Sequence, residues 1–135
     1  MESRLVLLLD THVVVWLLAT PEKLSRNATA AISSARREGQ SLSIAAVTMF
    51  ELASLAARQR IQLQFSLESF LEQVESRFRV IPIDRRIAAT CVDLPASYPN
   101  DPMDRIIGAT AIVEDLSLIT ADERIRKSGA VSTTW

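Results

Sequence analysis

One cysteine, Cys91, and one histidine, His12, are all that the 135 residues hold of the side chains that build zinc and redox centres. A lone cysteine excludes an internal disulfide framework and a Cys-based zinc site, and it agrees with a reducing compartment. Only three glycines and five prolines are present, so no flexible linker can be drawn and most residues belong in regular elements. An excess of one charge is missing too. The 16 acids and 15 bases leave a net charge of -1, which excludes the broad basic field of an electrostatic nucleic-acid binder, although a local patch is still allowed. Long apolar runs are also absent: Asp10 and His12 interrupt Leu5 to Leu9 and Val13 to Ala19, so neither a membrane span of about 20 residues nor a signal peptide forms. The expectation is a cytoplasmic protein with no membrane association.

What is present describes one domain over residues 1–135, 48% apolar and long enough to bury about 68% of the surface its unfolded chain exposes. The continuous run Leu5 to Leu9 suits a strand buried on both faces, and Asp10-Thr11 then starts a helix through Leu18. Ser25 caps a helix over Asn27 to Glu38, which Gly39 stops. Leu42 to Ala45 is a second strand, after which Thr48 is read as the cap of a helix through about Arg58. Helical spacing follows over Ser66 to Glu75, then a strand at Arg79 to Ile81 and a helix from Asp84 through about Val92. Leu94 to Asn100, with two prolines, reads as a loop. Asp101-Pro102 opens a helix through Val113; Ser117 to Thr120 is a strand, Asp122 to Lys127 a short helix, and Val131 to Thr133 a last strand. Alternating strands and helices specify an α/β three-layer sandwich, with a central parallel sheet of about five strands flanked by helices.

In such a sheet, ligands bind beyond the carboxyl ends of the strands, where strand order reverses. Asp10 follows the first strand, Glu51 sits three residues past Thr48, Asp101 and Asp104 share one helix face, and Asp122 lies two residues past the fourth strand. Each acid alone has an ordinary explanation, since carboxylates cap helix N-termini. Together they do not, because several ionised carboxylates within a few ångströms repel one another unless their pKa values shift or a cation binds. Oxygen ligands without a His or Cys cluster favour Mg²⁺ or Mn²⁺, and such a site supports phosphodiester hydrolysis.

The segments Asp10 to Leu18, Thr48 to Leu52, Asp101 to Ala111 and Leu118 to Asp122 resemble the successive motifs of the PIN domain, in particular the VapC-type toxins of type II toxin–antitoxin systems. The resemblance implies a PIN-like fold and a Mg²⁺- or Mn²⁺-dependent endoribonuclease. Its acidic quartet would be Asp10, Glu51, Asp104 and Asp122, with Asp10 and Asp104 as direct ligands and Asp101 auxiliary. Thr11, Thr48 and Thr120 match small hydroxyl positions that could hydrogen-bond the carboxylates. It also implies an RNA substrate, a VapB-like antitoxin, and a homodimer that forms a heterotetramer or larger assembly with it; apolar surface from Val13 to Leu18 and Met49 to Phe65 could offer the antitoxin's groove, with ordinary core packing as the favoured alternative.

Three further expectations concern individual residues. His12, without an acid–base partner pattern, is read as structural or substrate-facing; Cys91, Trp16 and Trp135 are read as packing residues. Arg105, Arg124, Arg126 and Lys127 flank the acids and could contact RNA phosphates, with Arg58 and Arg60 extending the patch; the ordinary alternative is a solvated helix face. Two other functions compete with a nuclease. One is a catalytically silent PIN-like module that binds a protein or RNA. The other, a small-molecule phosphatase, is weakened because Asp10-Thr11-His12 lacks the second aspartate of an aspartyl-phosphate loop.

Overall fold

The computed structural model describes residues 5–58 and 63–135. Five strands and seven α-helices alternate among them: β1 (Leu5–Leu9), α1 (Thr11–Ala19), α2 (Arg26–Arg37), β2 (Ser41–Ala45), α3 (Ala46–Ala57), α4 (Leu67–Arg77), β3 (Arg79–Ile81), α5 (Arg85–Asp93), α6 (Pro102–Val113), β4 (Ser117–Ile119), α7 (Glu123–Ser128) and β5 (Thr133–Thr134). All strand pairs are parallel, in the order β3-β2-β1-β4-β5. The chain therefore winds outward from β1 to β3, then returns to lay β4 on the other side of β1. The reversal falls between β1 and β4, the position at whose carboxyl ends open α/β sheets bind their ligands.

Side chains of the strands alternate between two apolar layers, as their period of two requires. Leu7, Leu9, Ile44 and Ile119 pack with Val13, Val14, Ile32, Leu52 and Val74 on one face. On the other, Leu8, Ala45 and Leu118 meet Ile87, Ile107 and Ile125. Both faces of the central strands are covered by helices, which explains why Leu5 to Leu9 is continuously apolar. None of the helices is long and apolar enough to cross a membrane, among the described residues.

Several boundaries differ from the sequence reading, each for a local reason. Thr48 does not cap α3. That helix starts directly from the strand at Ala45, which makes no side-chain cap, so Thr48 lies inside the first turn with its side chain fully buried. Pro21 opens a 3-10 turn at Pro21–Lys23 that the sequence did not announce. The last strand is Thr133–Thr134 rather than Val131 to Thr133, because Val131 packs against the core while Thr134 accepts from the Thr120 N–H. Arg60, proposed to extend a basic patch, lies outside the described residues.

Candidate active site

Asp10 stands at the switch point. Its N–H donates to the Ile119 carbonyl at 3.0 Å, which extends the β1–β4 pairing by one step, and its side chain turns back to cap α1. Only 4% of the residue is exposed. A carboxylate so buried must be hydrogen-bonded. Oδ1 accepts from the Thr11 N–H at 2.8 Å and Oδ2 from the Thr120 hydroxyl at 2.7 Å. The same Thr120 oxygen accepts the Asp122 N–H at 3.0 Å, so one buried threonine couples Asp10 to the loop that carries Asp122.

A second threonine pair reaches Glu51. The Thr11 hydroxyl donates to Glu51 Oε1 at 2.5 Å and lies 3.0 Å from the Thr48 hydroxyl. Thr11 has one hydroxyl proton, and with that proton given to Glu51, Thr48 must be the donor in the second contact. Two of the three anticipated hydroxyls thus bond a carboxylate directly, and Thr48 acts one step behind. Glu51 consequently projects from the second turn of α3 instead of the first.

Helix capping accounts for part of the acid set. Asp101 Oδ1 accepts the Met103 N–H at 2.9 Å and Asp122 Oδ1 the Ile125 N–H at 3.0 Å, capping α6 and α7. Asp104 is different. Its carboxylate is half-buried and has neither a hydrogen-bond nor an ion-pair partner among the described residues. Burial, followed by the charges of Asp10, Asp101, Asp122 and Glu51, pushes its pKa up to about 7. Glu51 is also raised, first by burial and then by Asp10 and Asp101, against the lowering effect of the Thr11 hydrogen bond. All five acids singled out in the sequence therefore share one electrostatic environment.

Few cations answer them. His12 Nδ1 lies 3.7 Å from Asp10 Oδ2, while its Nε2 accepts the Ala121 N–H at 2.9 Å. An accepting Nε2 puts the ring proton on Nδ1, facing Asp10. The ring also packs edge-on against Trp16, and Trp16 against Trp135, as the packing reading anticipated. Arg105 does not fit the phosphate-contact expectation: its guanidinium is spent on the carbonyls of Cys91 at 3.0 Å and 3.2 Å, Leu94 at 3.3 Å and Pro99 at 3.3 Å. Cys91 is half-buried beside it, with Sγ 3.5 Å from the Arg105 carbonyl. Lys127 pairs with Glu123 at 2.9 Å on the exposed side of α7, where Arg124 and Arg126 are also exposed.

As placed, no three His, Cys, Asp or Glu side chains among the described residues converge tightly enough to chelate an ion. The donor chemistry nonetheless fits a hard divalent cation: carboxylate oxygens in a partly desolvated pocket, with mutual repulsion that no basic side chain among the described residues cancels.

The sequence reading missed Tyr98. It is the only tyrosine, sits in the stretch read as a plain loop, and is the largest fully buried side chain among the described residues. Its hydroxyl donates to the Asp104 carbonyl at 2.7 Å. The available signal was Gly108, a glycine in the apolar middle of α6, which implied a close neighbour.

Comparison with known proteins agrees with this architecture. The PIN domain family profile matches residues 7–130. Ribonuclease VapC22 of Mycobacterium tuberculosis is 45% identical over 119 residues, covering 88% of each chain. Among solved structures, the toxin–antitoxin complex from Klebsiella pneumoniae aligns with a TM-score of 0.66 at 26% identity, over 93% of this chain and 95% of that one. VapBC2 from Rickettsia felis, solved with a DNA fragment from its promoter, has a TM-score of 0.72 at 14% identity over 96% and 97% of the chains, a likeness of fold alone. With the motifs, the sheet order and the profile match in agreement, the chain belongs to the PIN-domain family.

Proposed function

We propose that this chain is a Mg²⁺- or Mn²⁺-dependent endoribonuclease, the toxin of a VapBC-type pair that arrests translation and growth until a VapB-like antitoxin neutralises it. The observation that carries the reading is Asp104, a half-buried carboxylate with no hydrogen-bond or ion-pair partner among the described residues, surrounded by four other acids and pushed up to about 7. Simple capping leaves that arrangement unexplained, whereas a divalent cation would stabilise it. The name of the 45% identical relative supports RNA as the substrate.

Asp10 and Asp104 would hold the ion directly; Glu51 and Asp122 would complete its shell or orient the attacking water, and Asp101 would contribute through water. Bound there, the cation would polarise the scissile phosphodiester, lower the pKa of a water and offset the negative charge that otherwise repels RNA. The chain's own contribution is preorganisation. Thr120 and the Thr11 N–H fix both oxygens of Asp10, and the Thr48–Thr11 relay fixes Glu51. Neither carboxylate need then lose rotamer freedom when the ion arrives.

A groove of about 310 Å³ lined by Val15, Leu18, Phe65, Phe70 and Val74 opens between α1 and α4, within reach of a partner's apolar segment. It overlaps the surface anticipated for the antitoxin at Val15, Leu18 and Phe65 and extends it with Phe70 and Val74 of α4, in an assembly built on a homodimer. The solved toxin–antitoxin complex from Klebsiella pneumoniae supports a protein partner of that kind. One observation favours the second reading, a silent PIN-like binding module: no three acids among the described residues converge as placed.

RNA cleavage by the purified chain separates the two. Fragments should appear with Mg²⁺ or Mn²⁺, vanish with EDTA, and vanish when the antitoxin is added. Binding of RNA or antitoxin without any release of fragments in either metal would instead establish the binding module.

A further inference from the structure

The Tyr98 side chain lies against the acidic pocket without belonging to the acid set. It is 1% exposed, so its phenol must find a partner inside the fold. Its proton goes to the main-chain carbonyl of Asp104 at 2.7 Å, so the hydroxyl is not available to a substrate.

The contact is built from both sides. A Cβ at residue 108 would stand 2.3 Å from Tyr98 Oη and 2.6 Å from Cζ, distances at which something must move. Helix interiors disfavour glycine, so Gly108 costs α6 stability at the place where the phenol crosses it. In an α-helix the carbonyl of residue 104 faces the N–H of residue 108. Tyr98 thus supplies a second donor to the oxygen at the base of Asp104 and occupies the notch one turn on. Arg105 holds the loop that carries Tyr98, through the Leu94 and Pro99 carbonyls at 3.3 Å each.

This fastening has a load to resist. Among the described residues, Asp104 is the one acid of the five whose carboxylate makes no hydrogen bond or ion pair of its own, and its four neighbours all repel it. Its place in the pocket is set by its backbone. We propose that Tyr98 is a positioning residue, holding the first turn of α6 through the Asp104 carbonyl and the Gly108 notch so that the Asp104 carboxylate is presented for a divalent cation. The inference rests on the reading of the pocket as a cation site.

Mn²⁺ binding to the full chain, followed by the electron paramagnetic resonance signal of the free ion, tests it alongside the Tm of the metal-free protein. Tyr98→Phe keeps the ring and removes the hydroxyl. It should raise the Mn²⁺ dissociation constant about tenfold, in the range that loss of a residue supporting a metal ligand brings. The double variant Tyr98→Leu with Gly108→Ala fills the notch with a methyl group and no hydroxyl, and it should show the same weakening even if Tyr98→Phe does not fold. Unchanged Mn²⁺ affinity in either folded variant, with a lowered Tm, would make Tyr98 a packing residue and overturn the proposal while leaving the cation site intact. No Mn²⁺ binding by the unaltered chain would overturn both.

Discussion

Asp104 is where burial and charge meet in one side chain, and its titration has a definite sign. In the fold it keeps its proton to about 7, whereas its ordinary value is 3.8. Between those limits the unfolded chain binds fewer protons, so the free energy of unfolding falls as pH rises. Without metal, the Tm should fall from pH 5 to pH 8, and Asp104→Asn should remove that part of the fall; an identical slope in the variant would mean Asp104 ionises normally. Thr120 makes a second residue-scale test. Its hydroxyl bonds both Asp10 and the Asp122 N–H in a fully buried position. Thr120→Val strands both partners and should cost about 1–3 kcal/mol in urea unfolding. A change close to zero would show that water replaces the hydroxyl.

Helix starts were the most legible elements, because a cap is a local exchange between one side chain and the next turn. Ser25, Asp84, Asp101 and Asp122 each accept a backbone N–H at the helix start the sequence assigns them, and Ser66, read only as the first residue of its helix, caps α4 in the same way. Thr48 carried the same local signal and failed, since the strand enters α3 without a turn and the buried Thr11 hydroxyl competes for the threonine. Arg105 and Tyr98 were illegible for a related reason: their partners are main-chain carbonyls, which no side-chain pattern encodes. Gly39, read as the stop of α2, does adopt a left-handed backbone with φ 71° and has open space around it. Gly39→Ala should therefore destabilise the protein by about 1–2 kcal/mol through backbone strain alone. Chemical denaturation checks this, and a neutral result would mean the α2–β2 turn relaxes to another conformation.

At the scale of the molecule, strand order was not spelled out by any residue, yet it decides the site. Only the return of the chain to place β4 beside β1 brings Asp122 to Asp10, 112 residues apart in sequence by number but joined through Thr120. The near-cancellation of 16 acids and 15 bases hides that gathering: five acids at one rim leave 11 acids against 15 bases over the rest of the chain. A bound divalent cation would offset much of the cluster, and the face offered to RNA would then be more basic than the net charge of -1 suggests. The gathering of the acids at one rim was legible because each follows a strand end or helix start, while the contact of a loop tyrosine with the Asp104 carbonyl was not. The most direct test is the rate of RNA cleavage by Asp104→Asn beside the unaltered chain in Mn²⁺, with the metal-free Tm of both. The variant should fold with a Tm at least as high, its repulsion relieved, and cleave at least about 100-fold more slowly. Equal rates in the two proteins, or cleavage by the unaltered chain that persists in EDTA, would contradict a metal-dependent nuclease built on these acids.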